Sequence, residues 1–129
     1  MSREQNEIAV RRYLEEVWNQ GKVDVVDELF VPEIGAGLKE RVKAFLIAFP
    51  DWHCVIDDLF VEDDKVVNRW TAAATQTGPL FGIPPTGKRV TVEGITIHHL
   101  KDGRIVNDWS QADQLGLMQQ LGVVPAWGG

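Results

Sequence analysis

The stretch KRVTVEGITIHHLKDGRIVNDWSQA, residues 88–112, indicates the fold class of this chain. Apolar and polar residues alternate on both sides of Lys101-Asp102-Gly103, which is the pattern of two β-strands joined by a tight turn. Gly103 suits the left-handed position of a three-residue turn with a bulge. This part of the chain therefore predicts an antiparallel β-hairpin.

The predicted hairpin gathers polar residues on one side. With the bulged turn described above, Thr96 is expected to face Asp108 across the two strands. Because side chains alternate between the faces of a strand, four polar residues would then share one face: Thr96, His98, Asp108 and Ser110. His98 and Asp108 would be diagonal neighbours, roughly 7–8 Å apart at Cα. A carboxylate can orient an imidazole as a general acid or base, so this pair is the first catalytic candidate. The alternative is a histidine and an aspartate on a solvated strand, without a role.

The rest of the chain predicts helices first and strands afterwards. Apolar spacings of three and four residues predict helices over residues 4–19, 22–30 and 38–49, with the segment 31–37 (VPEIGAG) as a loop. β-rich runs follow at 52–61 and 64–77, before the hairpin. A short helix is expected after Asp113. Helices followed by an antiparallel sheet define the α+β class.

Composition excludes several kinds of partner. The 129 residues suit a single domain, over residues 1–129, and carry a net charge of −6 without a Lys/Arg cluster. Nucleic acid and anionic membranes are therefore not expected as partners. No signal peptide and no 18-residue apolar run are evident, and the lone Cys54 fits a reducing compartment. These features favour a cytoplasmic protein.

Five segments together resemble the SnoaL-like polyketide cyclases: FPDWH (49–53), RWTAAATQTG (69–78), GIPPTGK (82–88), KDGRIV (101–106) and DQLGLMQQLG (113–122). The resemblance covers nearly the whole chain. It implies the cone-shaped α+β barrel of nuclear transport factor 2 and ketosteroid isomerase, with three N-terminal helices on a curved, four-stranded antiparallel sheet and a short C-terminal helix. It also implies a hollow between helices and sheet, a common kind of ligand site.

The resemblance also identifies where the family keeps its catalytic residues. Cyclases of this group close an aromatic polyketide ring by an intramolecular aldol step, with an aspartate as acid/base and an assisting histidine. Ser110 stands at the position of that aspartate, three residues before Asp113, and Thr96 stands at the position of the histidine. Gln76 replaces a further histidine that is common in the family. The family's own catalytic pair is therefore missing from this sequence.

The expected pocket is mostly aromatic, with a few polar groups. Its predicted lining is Tyr13, Trp18, Phe49, Trp52, Trp70, Gln76, Thr96 and Ser110. Such a lining suits a small, flat, hydrophobic carbonyl compound. Asp113 is expected to cap the last helix, and a catalytic role for it is the less favoured alternative.

Adjacent residues on a strand point to opposite faces, so His98 and His99 cannot hold one metal ion, and neither a metal nor a cofactor is expected. His99 would lie on the outer face of the sheet with Ile95, Ile97 and Trp109. The resemblance implies that two copies pair through this face, so a homodimer is expected.

Two functions remain open. One is a cyclase-like enzyme that acts on a hydrophobic keto compound by aldol-type or isomerase-type proton transfer, with His98 and Asp108 as its catalytic pair. The other is a non-catalytic domain that binds or carries a small molecule, which the replacement of the family's aspartate by Ser110 favours. A third interpretation, a family member that has been trimmed or altered, would account for the short segment after Phe30.

Overall fold

The computed structural model describes residues 2–124. Helix α1 (Arg3–Arg12) begins with a capping box, in which the Ser2 hydroxyl accepts a hydrogen bond from the Gln5 backbone and the Gln5 side chain accepts one from the Ser2 backbone. It runs directly into a π-helical segment, Tyr13–Asn19. The remaining elements are a 3₁₀ turn (Val23–Val25), α2 (Val26–Leu29), α3 (Pro32–Ala48), β1 (His53–Glu62), β2 (Lys65–Thr75), β3 (Arg89–Lys101), β4 (Arg104–Ala112) and α4 (Gln114–Leu121).

The predicted α+β architecture is confirmed. The four strands form one antiparallel sheet in the order β1-β2-β3-β4, with the N-terminal helices packed on one face. Burial along β3 alternates strictly from Val90 to Leu100, because every second side chain points toward the helices. No helix within residues 2–124 is long and apolar enough to cross a membrane.

The third helix begins earlier than predicted. The segment 31–37 was expected as a loop, but α3 starts at Pro32, where proline's missing N–H and fixed φ suit the first helical position. Gly35 lies inside this helix and packs closely, since a Cβ there would be 3.5 Å from Val26. The connection after Phe30 is short because helix α3 includes these residues.

The hairpin register differs from the predicted one by two residues. Asp102 and Gly103 both have positive φ, 52° and 82°, and form a two-residue turn that pairs Lys101 with Arg104. A bulge then follows beside His99 and Leu100. Gly103 takes the left-handed conformation, as predicted, but in a shorter turn. A shift of two residues preserves which face each side chain occupies, so the predicted polar cluster stays together.

Within that face, the pairing is different from the expected one. Thr96 pairs with Ser110, not with Asp108, and His98 lies directly opposite Asp108, not diagonal to it. Directly opposed side chains on one face are separated by about 4.5–5.5 Å at Cβ, close enough for a direct contact. The bulge therefore brings His98 and Asp108 directly opposite each other on neighbouring strands.

Gly94 makes room for Trp70 on the inner face of the sheet. The two residues are cross-strand partners on β3 and β2, and the indole crosses over the glycine. A Cβ at Gly94 would lie 2.3 Å from Trp70 Cζ2, far inside van der Waals contact. Any larger residue at this position must displace the indole.

We expect Gly94→Ala to lower the free energy of unfolding by about 1–3 kcal/mol, as overpacked core substitutions do. Gly37→Ala is the matched control, because Gly37 lies in α3 with nothing within 4 Å of an added Cβ. That variant should be more stable than the wild type by about 0.5–1 kcal/mol, the helix preference of alanine over glycine. Urea unfolding measures both effects. Equal stabilities of the two variants would show that the Trp70 contact is not restrictive.

Candidate active site

A cavity of about 350 Å³ lies between the helices and the inner face of the sheet. Every layer of the fold contributes to it, so no single segment of the chain defines it. Its lining residues are Tyr13, Leu14, Trp18, Leu38, Arg41, Phe45, Trp52, Cys54, Trp70, Val92, Thr96, His98, Asp108, Ser110, Ala112, Gln114 and Leu117.

Aromatic rings form most of one wall. The indoles of Trp18, Trp52 and Trp70 follow one another with ring centroids 5.4 and 6.4 Å apart. Phe45 packs edge-on against Trp52 at 6.2 Å. Offset and edge-on rings of this kind present large, rigid apolar surfaces. The wall is therefore suited to a flat apolar ligand.

Two hydrogen bonds join the π-helical segment to strand β1 beside the aromatic wall. The Asn19 amide donates to the Cys54 carbonyl at 2.9 Å and accepts from the Cys54 backbone N–H at 2.7 Å. These two bonds fix the neighbouring Trp18 relative to β1. Wide helical turns are frequent at functional sites because they redirect side chains that a regular helix would place elsewhere.

The opposite wall carries a histidine–aspartate pair. His98 is completely buried, and its Nδ1 lies 2.7 Å from Asp108 Oδ1. The Asn68 amide nitrogen lies 3.0 Å from His98 Nε2 and can only donate, so Nε2 accepts and Nδ1–H donates to Asp108. Asp108 keeps 24% of its side chain exposed and lines the cavity. The carboxylate, not the ring, is therefore the accessible member of the pair.

A hydroxyl chain lies beside this pair. The Trp70 indole N–H donates to Thr96 Oγ1 at 3.1 Å, and Thr96 Oγ1 lies 2.9 Å from Ser110 Oγ. Because Thr96 accepts from the indole, its own proton is available to Ser110. In that arrangement the Ser110 hydroxyl can donate its proton into the cavity.

Most of the predicted site residues meet at the cavity. Its walls include Tyr13, Trp18, Trp52, Trp70, Thr96, His98, Asp108 and Ser110. Phe49 does not line it; this side chain is fully buried in the core against Phe45. The structure places Phe49 outside the cavity because it is the C-cap residue that follows α3, and its non-helical backbone directs the side chain into the core.

Gln76 does not reach the cavity either. It is fully buried, and its amide nitrogen donates to the carbonyls of Gly78 and Pro84, while its oxygen accepts from Thr86. These bonds satisfy the backbone of the loop between β2 and β3. Gln76 therefore holds this loop in place and does not contact the cavity.

Asp113 is the N-cap of α4. Its Oδ1 accepts a hydrogen bond from the Gly116 backbone at 2.8 Å, and it is not among the cavity's lining residues. This geometry is the capping role that the sequence favoured over catalysis.

Sequence patterns missed Arg41, Cys54 and Gln114 as lining residues. Leu38, Arg41 and Phe45 occupy positions i, i+3 and i+7 of α3, so they share one helical face. That spacing was the available signal for Arg41. Cys54 lacked such a signal, because its place at the cavity follows from long-range packing of β1 against the helices.

Burial sets the protonation of two lining groups. It raises the pKa of Tyr13 well above its usual range, so the hydroxyl keeps its proton at neutral pH. Burial, with a smaller contribution from the nearby carboxylates of Asp57 and Glu15, raises the pKa of Cys54 to about 12. Neither group is a base at neutral pH. In the described part of the chain, no three metal-ligating side chains converge.

The protein is therefore an α+β cone with a ligand-sized cavity walled by aromatic rings. The chain belongs to the SnoaL-like polyketide cyclase family, whose model matches residues 8–121. This finding confirms the family that the sequence segments resemble. A search of curated proteins found no match.

Solved structures agree with this assignment. TsrD from Streptomyces laurentii is 30% identical, with a TM-score of 0.90 over 96% of this chain and 99% of that one. A candidate polyketide cyclase from Acidithiobacillus ferrooxidans is 31% identical, with a TM-score of 0.82 over 95% and 98% of the two chains. A candidate SnoaL-like polyketide cyclase from Jannaschia sp. is 27% identical, with a TM-score of 0.85 over 95% of each chain.

The raised pKa of Cys54 leads to a prediction about its reactivity. At pH 8 the folded protein should react with iodoacetamide at least ~100-fold more slowly than the urea-unfolded chain, because the thiolate is the reacting species. Mass spectrometry of timed samples measures both rates. Similar rates in the two states would mean that the cavity holds an ionised, accessible thiol.

Proposed function

We propose that this protein is an enzyme that transfers a proton next to the carbonyl of a flat, hydrophobic keto compound, in an aldol-type ring closure or an isomerisation. The observation that carries this proposal is the His98–Asp108 pair, whose carboxylate faces an aromatic-walled cavity. Family membership supports the same class of chemistry.

Asp108 is the proposed acid/base. Oδ1 is held by His98, and within residues 2–124 no hydrogen bond or ion pair involves Oδ2. This oxygen is available to a ligand. A carboxylate near an α-carbon can remove its proton, provided that it is positioned within hydrogen-bonding reach.

His98 is proposed to position Asp108 and not to touch the ligand. Both of its ring nitrogens are engaged, by Asp108 and Asn68, and the ring is fully buried. The edge of Tyr13 packs against the imidazole at a centroid distance of 5.9 Å. A ring held from three sides restricts the rotamers of the aspartate bonded to it, as supporting residues do in preorganised sites.

Ser110 is proposed to stabilise the oxyanion. When the C–H bond breaks and Asp108 takes the proton, negative charge develops on the carbonyl oxygen. The Ser110 hydroxyl, supported by Thr96, can donate a hydrogen bond to that oxygen. In ring closure the enolate carbon then bonds to a second carbonyl carbon, whose oxygen receives the proton from Asp108. The reaction is balanced without a further reactant.

The relation to the family supports this assignment. The resemblance places the family's aspartate and histidine at Ser110 and Thr96, which are directly paired across β3 and β4. His98 and Asp108 form the next pair on the same face. Two residues along a strand correspond to roughly 6.6 Å. The same two side-chain types therefore recur one pleat away. In both arrangements the histidine belongs to β3 and the aspartate to β4.

The second candidate function is a non-catalytic protein that binds a hydrophobic small molecule. The observation that favours it is that Ser110 and Thr96 occupy the positions of the family's catalytic residues. Such a protein would use the same aromatic wall, but Asp108 would contribute only polarity. The two functions differ in whether a bound ketone exchanges its α-protons.

A hydrogen–deuterium exchange assay separates these functions. The wild type in D₂O should accelerate exchange of the α-protons of 2-tetralone, followed by NMR. Asp108→Asn should slow that exchange by about 10²-fold or more, the usual contribution of a general base. Asp113→Asn is the matched control, since asparagine also caps helices and removes a carboxylate outside the cavity.

Binding should be measured on the same samples by calorimetry. A wild type that binds 2-tetralone without accelerating exchange is a binding protein, and the catalytic proposal fails. Equal rates for wild type and Asp108→Asn would also remove Asp108 from the mechanism. His98→Asn should reduce the rate while leaving binding within about threefold, because the ring acts through Asp108.

We also propose that two copies pair through the outer face of the sheet. Val55, Ile95 and Trp109 lie on that face and expose 50%, 51% and 49% of their surface. Ile95 and Trp109 are diagonal neighbours on β3 and β4, whereas Val55 lies on β1. Large apolar side chains exposed on one face are typical of subunit contacts.

Sedimentation velocity tests this pairing. The wild type should sediment as a dimer at micromolar concentration, and Trp109→Lys should sediment as a monomer, because a charge would be buried in the contact. Ile47→Lys is the control, since Ile47 is 63% exposed on α3, away from the sheet. A monomeric wild type contradicts the proposal, as does an equal effect of both substitutions.

A further inference from the structure

A guanidinium group lies at the edge of the aromatic cavity. Arg41 shares the cavity-facing side of α3 with Leu38 and Phe45, and its side chain is exposed to solvent. It also lines an adjoining hollow, and Asp108 is the other charged residue that lines both spaces. Arg41 therefore marks the side on which the cavity opens, close to the proposed base.

Arg41 differs from the other cations of its helix. Lys39 forms ion pairs with Asp27 and Asp24 at 2.9 and 3.2 Å, and Lys43 pairs with Glu40 at 3.5 Å. No carboxylate oxygen among residues 2–124 lies within 4.0 Å of an Arg41 nitrogen. This is notable in a chain with a net charge of −6. The donors of Arg41 are available to a ligand.

We infer that Arg41 binds a carboxylate of the ligand, so that the preferred substrates are flat aromatic keto acids and not neutral ketones. This inference rests on the proposed function and names its substrate class. The aromatic wall formed by Trp18, Trp52 and Trp70 would hold the rings. The carbonyl would face Asp108 and Ser110, and the acid group would remain at the opening.

The chemistry of the guanidinium favours a carboxylate. Its planar, paired N–H donors match the two oxygens of a carboxylate, and the guanidinium stays charged at any relevant pH. A phosphate monoester carries more charge and is usually bound by several cationic or backbone donors. Arg41 is the single arginine or lysine that lines this cavity among the described residues. A single negative charge is therefore the better match.

The exposed position of Arg41 limits how much it can raise the affinity for a carboxylate ligand. Because the side chain is exposed, water competes for its donors, and the gain in affinity is expected to be about tenfold, the low end for a charge-assisted hydrogen bond. The charge would thus select among ligands of equal shape. It would also orient a flat ligand, which apolar walls alone leave free to turn.

Matched ligands test the inference by calorimetry with the full chain. The wild type should bind 6-acetyl-2-naphthoate about tenfold more tightly than the neutral 2-acetylnaphthalene. Arg41→Gln should remove this preference, so that the acid and the neutral ketone bind with equal affinity. Arg41→Lys should keep part of it. Lys43→Gln, which removes a charge of the same helix outside the cavity, should keep all of it.

Three results would overturn the inference. They are equal affinities of the wild type for the two ligands, no measurable binding of the acid, and equal losses in Arg41→Gln and Lys43→Gln. The outcome is separate from catalysis, since only binding is measured. A preference for the acid without α-proton exchange would retain the role of Arg41 and remove the proposed reaction. Exchange that depends on Asp108, without a preference for the acid, would retain the proposed reaction and remove the role of Arg41.

Discussion

The alternation of side chains along β3 is the constraint on which the cavity depends. This strand pairs with β2 on one side and β4 on the other, so its inner face lies at the centre of the sheet. Gly94, Thr96 and His98 occupy successive positions on that face. The glycine admits an indole, the threonine links two hydroxyls, and the histidine holds a carboxylate. One strand thus combines the space and the polar groups of the candidate site.

Polar groups inside an apolar cavity require partners, because an unpaired buried donor or acceptor is costly. The structure satisfies His98 through residues on both neighbouring strands, Asn68 on β2 and Asp108 on β4. Within residues 2–124, Asn68 Oδ1 is buried without a hydrogen-bond partner. Asp108 lies at the edge of this network and keeps 24% of its side chain exposed, so it is the member that a ligand can reach.

His98 and Asp108 lie close to the positions at which the resemblance places the family's catalytic residues. The fold and the curved sheet are shared with relatives of about 30% identity, but the resemblance assigns the catalytic aspartate to the position that Ser110 occupies here. Function depends on the residues that line a site and not on the fold alone. Thr96, His98, Asp108 and Ser110 all line this cavity. Asp108 and His98, the proposed pair, lie one pleat from the position that the resemblance assigns to the family's pair.

Local patterns were sufficient for the strand and helix types, the antiparallel order and the face on which Thr96, His98, Asp108 and Ser110 lie. All of these follow from the periods of 2 and 3.6 residues and from turn residues such as Gly103. The start of α3 was missed, because glycines in residues 31–37 suggested a loop where packing against Val26 supports a helix. The direct pairing of His98 with Asp108 depends on a bulge that no local pattern marks. The cavity positions of Arg41 and Cys54, and the burial of Gln76 away from it, arise only when distant elements pack together, since each depends on contacts between residues far apart in the chain.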